Sequence, residues 1–203
     1  MFVPSNTNIM EKELTPEQSL ATIEQMIADA KRSFHRNSFY FLLWGTLLIA
    51  AMIFNYAMAV AHNPMGSYAW GVMGILGGIL SFLHGSREGR KQQVKTTMDR
   101  VIMWLWFAFV ITMLATMIGA GVAGYETPVG SIMILTGLPT FVSGQLMRFR
   151  PLILGGILFW VLGAICFFVD VRTMVILYIA AMLFGYIVPG YLLKRQEDGL
   201  RTT

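Results

Sequence analysis

The side chains that could do chemistry in this chain are few: three histidines, one cysteine and 11 carboxylates among 203 residues. His35 and His84 flank apolar stretches, and a haem with two histidine ligands needs such a pair on facing helices. The alternative interpretation is two ordinary histidines at a membrane interface. We favour it because no second haem signal accompanies the pair, and we expect no cofactor.

Sulfur and imidazole side chains recur where the first apolar stretch ends. Met58, His62 and Met65 fall at positions i, i+4 and i+7, and thioether with imidazole is a ligand set that copper(I) selects. We interpret the triplet as chance, because the chain has 15 methionines and Pro64 interrupts the helix. Cys166 lies in an apolar run, where a thiol is a small buried hydrophobic group. We therefore predict no metal site and no catalytic residue.

The composition explains this scarcity. Hydrophobic residues make up 56% of the chain and charged residues only 13%, whereas a soluble domain carries about 25% charged residues. A water-soluble globule, a disordered chain and a nucleic-acid-binding module are excluded, and a single cysteine excludes a disulfide framework. Long apolar stretches instead predict an all-α polytopic membrane protein, because only helices and closed barrels satisfy the backbone in lipid.

Six apolar stretches are long enough to be transmembrane helices. A helix needs about 20 mostly apolar residues to cross a hydrocarbon core of about 30 Å. Such windows cover 38–61, 67–85, 101–124, 128–147, 151–169 and 172–193. They define a membrane domain over 37–194, with cytoplasmic segments at 1–36 and 195–203. No Asp, Glu, Lys or Arg lies deep in these windows, which argues against a carboxylate proton relay or a voltage sensor.

The basic residues predict the orientation of the chain. All but one of the 15 lysines and arginines precede the first window or follow an even-numbered one, and the exception is Arg172. By the positive-inside rule both termini are cytoplasmic, and the basic loop 85–100 faces anionic lipid headgroups. The first apolar run begins only near residue 38, unlike the core of a signal peptide. We expect a multi-pass protein of the bacterial cytoplasmic (inner) membrane.

Residues 15–36 predict an amphipathic helix before the first span. Thr15 is a good N-cap and Pro16 suits the first helical position. Its apolar stripe contains Leu20, Ile23, Met26, Ile27 and Phe34. One interpretation is a helix resting on the inner leaflet, which we favour. The other is a docking surface for a cytoplasmic protein partner or a second copy of the chain.

The even-numbered windows end alike, at 79–85, 138–144 and 184–190, each with a glycine near aromatic or aliphatic residues. This similarity suggests three helical hairpins descended from one. The alternative is coincidence, because glycine and aromatic residues are common in every membrane span.

These observations favour a non-enzymatic accessory, scaffold or sensor subunit. The rival hypothesis is a small transporter or channel for a neutral or lipid-like solute, which needs a polar cavity. Its candidate lining residues are Asn55, Ser81, Thr136, Thr140, Ser143 and Tyr186. A redox or lipid-modifying enzyme is the third hypothesis and rests only on His35 and His84.

Overall fold

The protein is described by a computed structural model over residues 38–89, 97–122 and 128–201. The predicted amphipathic helix 15–36, its apolar stripe and His35 lie outside the described residues. Within the described ranges all regular structure is helical, which confirms the all-α prediction. The elements are α1 (Ser38–Val60), a 3₁₀ turn (Pro64–Ser67), α2 (Tyr68–Gly89), α3 (Thr97–Val122), α4 (Val129–Leu146), α5 (Arg150–Ile165), α6 (Val171–Met182), a π turn (Leu183–Ile187) and α7 (Val188–Arg201).

Five helical segments in these ranges are long and apolar enough to cross a membrane. They are Ser38–Val60, Pro64–Arg87, Asp99–Val122, Val129–Leu146 and Val171–Gln196. The last one comprises α6, the π turn and most of α7, which follow one another without a break. Helix α5 is also apolar but has 16 residues, about 24 Å at 1.5 Å per residue. Length and composition thus fit a helical membrane protein.

Helix α5 ends at Ile165, before the end of the predicted window 151–169. The chain turns there because Asp170 caps the next helix: its carboxylate accepts hydrogen bonds from the Arg172 N–H at 3.0 Å and the Thr173 N–H at 3.2 Å. The Thr173 hydroxyl donates a third bond at 2.7 Å. These bonds hold the pKa of Asp170 below its ordinary value, and the bond from the Thr173 hydroxyl has the largest effect. Because Phe168 in this turn is apolar, hydropathy alone does not show that the helix ends before it.

Neighbouring helices pack antiparallel. The Trp44 indole N–H on α1 donates a hydrogen bond to Ser81 Oγ on α2 at 3.1 Å. The Trp106 indole N–H on α3 donates to Ser143 Oγ on α4 at 3.2 Å. Each bond joins the first half of one helix to the second half of the next, so the two helices run in opposite directions.

Helices α1, α4, α5 and α6 with the π turn form the interior of the bundle. The largest completely buried apolar side chains are Phe159, Met133, Leu152 and Met182. Helix α2 packs against α1, and α3 packs against α4. No residue in the most apolar part of α3 is buried inside the protein, so this helix presents an apolar surface around most of its circumference.

Helices α4 and α5 form the most extensive contact between two helices. Glycines recur every seventh residue on both facing surfaces, at Gly130, Gly137 and Gly144 on α4 and at Gly156 and Gly163 on α5. A Cβ atom built on any of the five would lie 2.5 to 2.9 Å from an atom of the facing segment. The two backbones therefore touch directly, as small residues permit between membrane helices.

Candidate functional site

Four of the six side chains predicted to line a cavity come together in the interior. Thr136, Thr140 and Ser143 are buried on α4, and Tyr186 is buried in the π turn. The spacing of the first three, i, i+4 and i+7, places them on one face of α4. We call these four residues the hydroxyl cluster.

The α4 hydroxyls of the cluster are hydrogen-bonded within the protein. Thr136 Oγ1 donates to the Ile132 carbonyl, and Thr140 Oγ1 donates to the Thr136 carbonyl, each at 2.7 Å. Ser143 Oγ accepts from the Trp106 indole at 3.2 Å. A polar group buried in an apolar bundle is costly unless it is paired. These bonds therefore let α4 carry three hydroxyls inside.

The Tyr186 hydroxyl has the weakest partner in the cluster. It lies 3.5 Å from Thr140 Oγ1, at the long limit of a hydrogen bond. The Tyr186 ring packs against Phe41 and Phe159, with centroid distances of 5.6 and 5.1 Å. Aromatic rings of α1 and α5 thus cover the ring of Tyr186.

Pro189 lies two residues after the π turn that carries Tyr186. Pro189 has no backbone N–H, so the Gly185 carbonyl lacks the donor that an α-helix would supply four residues later. That carbonyl instead faces α5, where a Cβ built on Gly155 would lie 2.8 Å from its oxygen. Single π turns occur frequently at functional sites, and this one carries a cluster residue.

The structure does not bring Asn55 and Ser81 to the hydroxyl cluster. Ser81 on α2 accepts the hydrogen bond from Trp44. Asn55 is half-buried on α1, and its backbone carbonyl lies 3.0 Å from a Cβ built on Gly66. The six candidates therefore belong to three different places in the bundle.

His84 has aromatic neighbours rather than a described metal-binding partner. Its ring stacks on Phe39 with a centroid distance of 3.9 Å and meets the edge of Tyr40 at 5.6 Å. Across the described ranges, no three His, Cys, Asp or Glu side chains are grouped closely enough to hold a metal ion. Cys166 is buried with its sulfur 3.8 Å from that of Met133, so it packs as an apolar group.

Sequence reasoning missed the tryptophans that hold the outer helices. In both Trp44–Ser81 and Trp106–Ser143 the two residues are 37 positions apart, and this equal spacing is visible in the sequence. Aligning the first two hairpins by their tryptophan–serine pairs gives a different register from aligning them by the glycine-containing ends of their second helices. The feature of the sequence that could have revealed these contacts is the repeated tryptophan–serine pair, rather than the similar ends of the even-numbered windows.

The chain matches no protein-family model, no curated protein and no solved structure. Any proposal for the function therefore rests on the side chains and their contacts. A hydrogen bond between membrane helices contributes about 0.6 kcal/mol on average. Within the hydroxyl cluster, the Trp106–Ser143 bond joins α3 to α4, whereas the 3.5 Å contact between Thr140 and Tyr186 joins the π turn to α4 only weakly.

Proposed function

We propose that the protein is a non-enzymatic accessory, scaffold or sensor subunit of the bacterial inner membrane. The observation that supports this proposal best is the filled interior. The hydroxyls of Thr136, Thr140 and Ser143 bond to groups of the protein itself, and the neighbouring Phe159 and Met133 are completely buried. Such an interior stabilises a bundle, and the bundle then serves to hold other parts of a complex in the membrane.

The proposal includes six spans arranged as three hairpins, with both termini in the cytoplasm. For α5 to cross, the turn after it must lie within the membrane interface. Two features support this: the exposed Phe167 and Phe168 are apolar side chains that lipid can cover, and the N–H groups of Cys166, Phe167 and Phe168 are bonded to earlier carbonyls. In lipid, unpaired backbone groups would be too costly.

The subunit proposal requires the second interpretation of the predicted helix 15–36, in which its apolar stripe is the docking surface for a protein partner. Substituting Ile23→Asp and Ile27→Asp puts two charges on the predicted stripe. Gln25→Asp is the matched control, because helical periodicity predicts it on the opposite face. The full chain, gently extracted from its own membrane, is examined by native mass spectrometry. We expect the added mass of a second polypeptide, retained by the control and lost in the stripe variant while the thermal unfolding of the bundle is unchanged.

A partner mass that survives in the stripe variant would contradict the docking role of residues 15–36. A bare chain that carries a small ligand would contradict the subunit proposal as a whole. It would favour the second candidate function, a transporter or channel for a neutral or lipid-like solute.

The π turn is the observation that favours this second candidate. It places the weakly bonded Tyr186 hydroxyl beside Thr140, where a solute with one polar group could replace Thr140 as its partner. The Tyr186→Phe variant removes that hydroxyl and keeps the ring. Loss of the small ligand in this variant would support transport, and its retention would contradict a role for the cluster.

A further inference from the structure

A pocket of about 510 Å³ lies where the end of α4, the start of α5 and the second half of α7 meet. Its wall combines three arginines with apolar side chains. The lining residues are Arg148, Phe149, Arg150, Pro151, Leu192, Arg195 and Gln196. The pocket is open, since five of its lining residues, Arg148, Arg150, Leu192, Arg195 and Gln196, are exposed.

The turn between α4 and α5 holds two of these arginines in place. Arg148 has a φ of 50°, a left-handed conformation that is uncommon for a residue other than glycine. Two backbone hydrogen bonds close the turn, from Arg148 N–H to the Gln145 carbonyl at 3.1 Å and from Phe149 N–H to the Gly144 carbonyl at 2.9 Å. These two bonds and the positive φ form a Schellman motif, an ordinary helix C-cap, and the same motif ends α1 at His62, whose φ is 54°.

The pocket has a strongly positive character. Three of the seven lining side chains, those of Arg148, Arg150 and Arg195, are guanidinium groups, and the lining includes no carboxylate. The positive end of the α5 dipole and the negative end of the α4 dipole meet at this turn and offset each other, so the charge of the pocket comes from the arginine side chains. Guanidinium groups bind phosphate oxygens through paired N–H donors, so a phosphate is the chemical group that this charge distribution suits.

The apolar part of the wall continues onto the sides of two membrane helices. Leu192 lines the pocket and is 38% exposed, and Val188 and Tyr191 of α7 are exposed apolar neighbours. On α5, Leu154 is also exposed. A ligand with one phosphate and long hydrocarbon chains can therefore satisfy both parts, with its phosphate among the arginines and its chains against α5 and α7.

We infer that this pocket binds the headgroup phosphate of an anionic phospholipid such as phosphatidylglycerol. Basic pockets between membrane helices bind anionic lipid headgroups in this way. The inference requires a bundle embedded in a membrane but no protein partner. Its failure is therefore distinguishable from the failure of the proposed subunit function.

The test measures lipid binding by the purified full chain in detergent. The probes are dioctanoyl phosphatidylglycerol, dioctanoyl phosphatidylcholine and inorganic phosphate, and the readout is the Kd from lipid-bound peaks in native mass spectra. One variant carries Arg148→Gln, Arg150→Gln and Arg195→Gln together. The matched control is Arg172→Gln, which removes an exposed charge beside the N-terminus of α6, at the opposite end of the bundle.

We expect phosphatidylglycerol to bind more tightly than phosphatidylcholine and the triple variant to lose about 100-fold in affinity, about fivefold for each arginine. The control should bind as the wild type does. Arg195→Gln alone changes one exposed side chain of α7 and should weaken binding about fivefold, which keeps the test decisive if the triple variant does not fold. Equal losses in Arg172→Gln and Arg195→Gln would overturn the site. Inorganic phosphate that competes as strongly as the lipid would overturn the lipid as its ligand.

Discussion

Replacing Gly156 by alanine tests the direct backbone contact between α4 and α5. The new Cβ atom would lie 2.6 Å from Phe141 Cβ and 2.7 Å from Phe141 Cα. Neither atom can move by rotating a side chain, so the helices themselves must separate. Restoring an ordinary contact of 3.4 Å requires a shift of about 0.8 Å, a gap that costs neighbouring atoms a quarter to a half of their dispersion energy.

Such overpacking typically costs about 1–3 kcal/mol of unfolding free energy. Removing a helical glycine recovers about 0.5–1 kcal/mol, so a net destabilisation is expected. Gly74→Ala on α2 is the matched control, because a Cβ built there meets no atom within 4 Å. That variant should be as stable as the wild type or slightly more stable.

The assay is unfolding of the full chain in mixed micelles with increasing dodecyl sulfate, followed by the fluorescence of its five tryptophans. Gly156→Ala should unfold at a lower fraction of dodecyl sulfate than Gly74→Ala. If the two variants unfold at the same fraction, α4 and α5 are not in backbone contact and the glycine spacing has no packing role.

Three further predictions use the same preparation. Trp106→Phe keeps an aromatic ring but removes the donor to Ser143, so it should destabilise the bundle by about 0.6 kcal/mol; an unchanged unfolding transition would contradict the bond. The pKa of Asp170 is lowered in the folded chain, so its contribution to stability is present above the ordinary value of 3.8 and is lost as the pH falls through the lower folded pKa. The difference in melting temperature between wild type and Asp170→Ala should therefore shrink in that acid range, and a difference that grows there would refute the cap. Cys166, the single cysteine, is 7% exposed, so a maleimide should label it far more slowly in the folded chain than in dodecyl sulfate; equal rates would show that it is accessible.

Helix positions were predictable from the sequence because apolar runs separated by turns and charges are a strong signal. The starts of α1 and α4 lie within one residue of the predicted windows at 38 and 128. The end of α5 was not predictable from hydropathy, since Phe167 and Phe168 are as apolar as the helix before them. Only the local chemistry of the Asp170 cap marks that boundary.

The faces of the helices were harder to predict, for a physical reason. A membrane helix is apolar both toward lipid and toward its neighbours, so periodicity does not distinguish the two sides. Spacing sufficed for Thr136, Thr140 and Ser143, which share one face of a single helix. It failed for Asn55 and Ser81, because their positions depend on which helices meet.

The glycines held the most information that went unused. Their seven-residue spacing on α4 and α5 is present in the sequence, but the sequence alone does not show that the two glycine rows face each other. The basic pocket could not be predicted from the sequence. Arg148 and Arg195 are far apart in the chain, and they meet only because α7 returns to the turn between α4 and α5.

The packing of α1 has a consequence for the order of events during synthesis. Its Gly45 lies against Ile187 of the π turn, and its Leu42 lies beside Gly190 of α7. The first helix to leave the ribosome among those described thus completes its contacts only with the last one. Until the π turn and α7 are made, α1 has its contacts with α2 and α6 but lacks those at Leu42 and Gly45, and a chain truncated before Leu183 would never form them.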